Sequence, residues 1–194
     1  MTLKQLIQIF LNILRHFLVN TYNWDGIEET SGAWFYWKYF GTINEVDGRY
    51  YVWDYVRPEE IPSAWLKYDN PKKFLYWLNS HGEYIKDEKL YQLPDHWESP
   101  AEFIKKKLKG DCDGFALAWV SWCVAKGLEC RLILGNYSKD YDKKYKYNHL
   151  SCLLWYNNVW YYADPTNAHF IQAKYFDKFI PYMSFYKNKM FSHE

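Results

Sequence analysis

The sequence predicts an α+β fold on three observations: a nearly all-apolar helical segment at 111–126, two β-hairpin patterns at 33–57 and 149–166, and no repeat or low-complexity linker to divide the chain. With 194 residues the chain suits a single domain, 1–194, with a full hydrophobic core. Lys plus Arg (24) balances Asp plus Glu (23), so no net field draws in a phosphate backbone, and nucleic acid is not an expected partner. Hydrophobic residues at 49% and charged residues at 24% exclude long disorder. The 11 Trp, 20 Tyr and 12 Phe are too many rings for a core alone, which keeps a binding or assembly role open.

In residues 1–20, Gln5, Gln8, Asn12 and Arg15 recur every three to four positions, opposite Leu3, Leu6, Ile7, Phe10, Leu14 and Phe17. That spacing predicts an amphipathic helix. No apolar run reaches the roughly 18 to 20 residues of a membrane span, and no small-residue cleavage site follows. No signal peptide and no membrane span are expected, and the location expected is cytoplasmic or virion-associated. Ala33 to Arg57 reads as a hairpin of aromatic and β-branched strands around the Asp47-Gly48 turn. Two short helices are predicted at Lys72–Asn79 and Pro100–Lys109, the second capped by Ser99 with Pro100 in its first turn.

Asp111 to Lys126 reads as a helix that Asp111 caps and Gly127 stops. Almost every position between is apolar, so this helix is expected inside the core. Cys112 occupies its first turn, where unpaired N–H groups and the helix dipole favour a thiolate. Asp111 and Asp113 oppose that charge, so an imidazolium is needed nearby.

Cys130–Leu134 is a strand candidate closed by Gly135, followed by a polar, Tyr-rich loop at 136–147. Then comes a hairpin of His149–Tyr156 and Val159–Thr166, joined by Asn157-Asn158, which tolerates the left-handed backbone of a two-residue turn. If Tyr156 pairs with Val159, His149 faces Thr166 and Asp164 is its diagonal neighbour on the same sheet face. The carboxylate can then fix the imidazole's tautomer while the other ring nitrogen serves the sulfur. Cys112, His149 and Asp164 thus form a candidate nucleophile, base and orienter for acyl transfer through a thioester. His169 is the rival base, preferred if the hairpin slips register.

The other cysteines, Cys123, Cys130 and Cys152, lie in apolar runs and are read as core, with free thiols in a reducing compartment. No metal or other cofactor is expected. Cys112, His149, Asp164 and His169 offer no close-spaced zinc ligand pair, and Asp140-Tyr141-Asp142 lacks the Gly and terminal Glu of a calcium loop. For an oxyanion hole, the backbone N–H of Cys112 is one donor, and the nearest candidates for the second are Gln92 and the indole of Trp97.

The run Gly110 to Ala116 (GDCDGFA), a His at a strand start and Trp160 to Thr166 (WYYADPT) together resemble the transglutaminase-like superfamily. Asp95 to Phe103 (DHWESPAEF) resembles the bacterial transglutaminase-like cysteine peptidases within it. The resemblance implies a papain-like core with the cysteine helix packed on an antiparallel sheet. It also implies that Cys112, His149 and Asp164 take the nucleophile, base and acid positions, and that the substrate is a protein or peptide. The alternative is a non-catalytic structural or assembly component, for example of a phage particle, that uses the same fold as a scaffold and has protein partners.

Overall fold

The computed structural model describes residues 52–93, 95–137, 149–176, 178–187 and 189–192. The expected N-terminal helix at 1–20, the hairpin up to residue 51 and most of the loop at 136–147 lie outside the described residues. Where the expected hairpin enters them it is not a strand: Val52–Tyr55 forms a 3-10 turn, and Val56 and Ile61 are buried in the core. Pro58 and Pro62, which cannot donate to a ladder, follow directly and suit turns instead.

Four α-helices and eight strands follow among the described residues. Helix α1 (Pro71–His81) starts at Asn70, whose side chain accepts from the Lys73 N–H, and has Pro71 in its first turn. Strand β1 (Glu83–Tyr84) leads into α2 (Asp87–Leu90). Helix α3 (Pro100–Lys105) begins with a complete capping box between Ser99 and Glu102. It ends earlier than its composition suggests, because Lys107 and Leu108 turn left-handed and Lys109–Gly110 becomes strand β2, parallel to β1. Helix α4 (Cys112–Ala125) matches expectation, with Asp111 as N-cap and Gly127 at φ 69° just beyond its end.

Strands β3 (Glu129–Tyr137), β4 (His149–Tyr156), β5 (Val159–Asp164), β6 (His169–Gln172), β7 (Phe179–Tyr186) and β8 (Lys189–Ser192) form one sheet in the order β6-β5-β4-β3-β7-β8. Every pairing in it is antiparallel. Strand β3 does not stop at Gly135. A Cβ there would lie 2.2 Å from the Ile180 carbonyl, so glycine lets β7 close in as the register shifts at Leu134/Gly135, and the strand continues to Tyr137.

Helix α4 is the centre of the core. Every residue from Asp113 to Cys123 is buried, and the helix packs against β3 and β4 as well as α1 and α3. Trp119 and Trp122 are completely enclosed, and each places its indole N–H on a backbone carbonyl, Pro71 O and Trp65 O. Ile133, Leu153, Tyr162, Phe176 and Phe179 form a second, smaller cluster. By the pleat, Tyr137, His149 and Asp164 belong to the same sheet face as Ile133, Leu153 and Tyr162. No helix among the described residues is long and apolar enough to cross a membrane.

Candidate active site

The hairpin register is the one read from the sequence, with Tyr156 opposite Val159 and Cys152 opposite Ala163. Asn157 and Asn158 take φ 51° and 65°, the left-handed pair of a two-residue turn. His149 therefore meets Asp164 diagonally, and the Nε2 to Oδ2 distance is 2.8 Å. Both side chains are buried. Nδ1 is the ring nitrogen left for another partner.

Cys112 lies at the adjoining helix end, half-buried, with its Sγ 3.5 Å from the Leu150 N–H that points at it. The sulfur is thus held at the residue after His149. Burial pushes the Cys112 thiol well up, and the charges of Asp111 and Asp113 add to that; the Leu150 N–H pulls the other way. The other three cysteines are buried free thiols. Of the two further oxyanion candidates, Trp97 spends its Nε1–H on Asp95 Oδ2 at 3.1 Å, and Gln92 is exposed at a left-handed turn position.

Asp164 is the most heavily coordinated side chain of the site. Its Oδ1 accepts the backbone N–H groups of Thr166 and Asn167 at 2.9 and 3.2 Å. Its Oδ2 accepts from His149, from Asn167 Nδ2 at 2.9 Å, from the Tyr162 hydroxyl at 3.4 Å and from the Tyr137 hydroxyl. Burial alone would raise this carboxyl, but the hydrogen bond and charge of His149, with Asn167 and Tyr137, hold it down at about 2. His169 pairs with Asp164 across the β5–β6 ladder, and its Nδ1 contacts the Tyr137 hydroxyl at 3.2 Å. The structure joins His149 to Asp164 and holds the Cys112 sulfur at Leu150, next to His149 in the chain, while His169 contacts the Tyr137 hydroxyl.

A second group of carboxylates adjoins the sulfur. The parallel β1–β2 contact, with Ile85 N–H on Gly110 O at 2.9 Å, sets Asp87 beside Asp111 and Asp113, and one oxygen from each lies within 4.8 Å of the others. Burial, then the hydrogen bond with Asp111 and the charges of Asp111, Asp87 and Glu98, push the Asp113 carboxyl up to about 10. Asp87 is raised by burial and by Asp111 and Asp95, although its Oδ2 takes the His96 N–H at 2.6 Å. Its buried Oδ1 has no hydrogen-bond partner. Behind them Glu98, 1% exposed, is pushed up to about 7 by burial and by Asp87 and Asp111, against the Tyr91 hydroxyl and Lys106. Ligand spacing gives no hint of this cluster, because Asp87 comes from a separate helix. The all-oxygen donor set fits a hard divalent cation.

A buried cysteine helix on an antiparallel sheet, with His and Asp on neighbouring strands, defines the class. The transglutaminase-like superfamily model matches residues 59–165, and the chain belongs to that superfamily. Among solved structures it is similar to Legionella pneumophila LapG in its calcium-bound form, at 23% identity and TM-score 0.52, over 67% of this chain and 76% of that one. The EGTA-treated form of LapG gives 19% identity and TM-score 0.51 over 73% and 72%. A candidate cysteine protease from Cytophaga hutchinsonii gives 14% and TM-score 0.50 over 75% of this chain and 49% of that one. At these identities the likeness is one of fold. No curated protein matches the chain.

Proposed function

We propose that the chain is a cysteine-dependent acyl-transfer enzyme that cleaves amide bonds in a protein or peptide substrate. The observation that carries this reading is the His149–Asp164 contact at 2.8 Å beside a sulfur fixed by the Leu150 N–H. The Cys112 proton passes to His149 Nδ1 as the sulfur adds to the amide carbon. His149 then gives that proton to the leaving amine, and a thioester forms on Cys112. Water, deprotonated by His149, attacks the thioester; the acid departs and the thiol is restored. Asp164, held ionised, fixes the ring's orientation and supports its charged form.

Exposure alone would make Cys112 the first cysteine to react, so the test compares alkylation by iodoacetamide at pH 6 in the parent chain and in His149→Ala. The expected result is at least tenfold slower labelling of Cys112 in the variant. Equal rates would overturn the reading, since the thiol would then owe nothing to the imidazole.

The carboxylate cluster supports a second element of the reading: Asp87, Asp111 and Asp113 hold a divalent cation of the calcium class. Three partly or fully buried carboxylates need a counter-charge, and in its absence a proton must serve on Asp113. The bound cation would supply positive charge that offsets the Asp111 and Asp113 charges acting on the Cys112 thiol.

A further inference from the structure

We propose that Tyr137 is a positioning residue for the candidate site, its hydroxyl aiming the Asp164 carboxylate while its ring braces the His149 imidazole. This rests on the reading of Cys112, His149 and Asp164 given above. Tyr137 reaches the site only because β3 runs on past Gly135, where the missing side chain admits the Ile180 carbonyl and Phe179 ring. Its ring centroid is 5.2 Å from that of His149, and Phe179 stands 5.8 Å from Tyr137 and 6.3 Å from His149. One side chain therefore touches both partners of the His149–Asp164 contact.

The direction of the hydrogen bonds follows from what each group can do. An ionised carboxylate only accepts, so the single phenolic proton of Tyr137 goes to Asp164 Oδ2. Burial and the Asp164 charge push the Tyr137 hydroxyl well above its ordinary range, so it stays a donor at every working pH. The phenolic oxygen is then left to accept; Asn167 Nδ2 addresses it at 3.3 Å, and the one Tyr162 hydroxyl proton is shared between it at 3.2 Å and Asp164 Oδ2 at 3.4 Å. His169 Nδ1 faces the same oxygen at 3.2 Å, where an N–H on that nitrogen would compete with these donors. Tyr137 thus stands between His169 and Asp164. The charged or titratable groups around Asp164 are His149 from β4, Tyr137 from β3, Tyr162 from β5, His169 from β6 and Cys112 from α4.

A purely structural role for Tyr137 would rest on its ring, which packs with Phe176 and Phe179. Tyr137→Phe keeps the ring and removes the donor. The experiment is a carbon-13 NMR titration of the Asp164 carboxyl in the full chain, in the parent, in Tyr137→Phe and in Phe176→Leu, which disturbs the same packing without touching a hydrogen bond. Loss of one donor to the carboxylate should raise the Asp164 midpoint by about one pH unit in Tyr137→Phe and leave it in place in Phe176→Leu. An unchanged midpoint in Tyr137→Phe, or an equal shift in Phe176→Leu, overturns the proposal. Should Tyr137→Phe fail to fold, the parent still decides. A slowly exchanging Tyr137 hydroxyl proton with a nuclear Overhauser effect to the His149 ring supports it, and its absence overturns it. Neither readout uses turnover, so an inert Cys112 would defeat the enzymatic reading while leaving this result standing.

Discussion

The Oε1 of Glu98 fills the space that a side chain at Gly114 would need: a Cβ there would lie 2.3 Å from it and 3.0 Å from the Phe103 ring. Gly110 is under the same restriction, at 2.0 Å from that oxygen. The two glycines that bracket Asp111-Cys112-Asp113 therefore make room for a buried carboxyl, which links the GDCDG run to the Glu of the DHWESPAEF run. Gly114→Ala should destabilise the fold by about 1–3 kcal/mol, the range for overpacking. Urea denaturation gives the number. A Glu98→Ala, Gly114→Ala double variant should lose less than the sum of the single changes, because the obstructing oxygen is gone. Strict additivity would show that Gly114 answers to something else.

Asp164→Asn is expected to leave the near-ultraviolet circular dichroism intact and to lower turnover by about 10²–10⁴, through loss of the charge that supports the imidazolium and of the correct tautomer. Turnover within a factor of ten of the parent would remove Asp164 from the mechanism.

The same carboxyl sets an acid limb of stability. Its folded value of about 2 lies below the roughly 3.9 of an unfolded Asp, so its contribution is present above that unfolded value. It is lost as the pH falls from about 4 through 2. Denaturation midpoints between pH 5 and pH 2 should therefore fall more steeply for the parent than for Asp164→Asn. Parallel curves would mean that Asp164 titrates alike in the folded and unfolded chain.

How far the sequence led depends on whether the decisive contact was local. Asp111 as cap, Gly127 as stop and the Asn157-Asn158 turn act within a few residues, so helix α4 and the His149–Asp164 pairing were legible. Gly135 reads as a strand end by local rules. It continues the strand because β7, from more than forty positions further on, packs against the bare backbone. By the same local rules Tyr137 falls in a loop, and only the continued strand makes it a partner of Asp164. Asp87 carries no local signal either: only the two-residue parallel pairing of β1 with β2 brings it to Asp111. An unusually acidic first helical turn around Cys112 was the one local signal for that cluster.

Calcium added to the EDTA-treated chain should raise its melting temperature, with about 2.7 kcal/mol of stabilisation once the ion exceeds its dissociation constant a hundredfold. Asp113→Asn separates the ion from the proton. In EDTA the neutral amide should stabilise the fold, since it removes a carboxyl crowded by Asp111 and Asp87, whereas the response to calcium should be weakened or lost. A parent chain whose melting temperature ignores calcium up to millimolar levels would remove the cation from the reading.

Asn79, on α1, donates its Nδ2 to the carbonyls of both Pro165 and Thr166, at 2.9 and 2.8 Å. These residues follow Asp164 directly, and the N–H groups of Thr166 and Asn167 hold Asp164 Oδ1. The helix thus fixes the turn that aims the carboxylate, through the backbone carbonyls of that turn. Asn79→Ala should cost about 1–3 kcal/mol, as expected when two partly buried acceptors lose their donor. It should also speed amide exchange at Thr166 and Asn167 before it affects β3 or β4, because the turn opens locally while the sheet stays closed. Turnover should fall less than in Asp164→Asn, since the carboxylate is loosened and not removed. If exchange rises uniformly across the sheet, Asn79 supports the fold as a whole and has no particular hold on the turn.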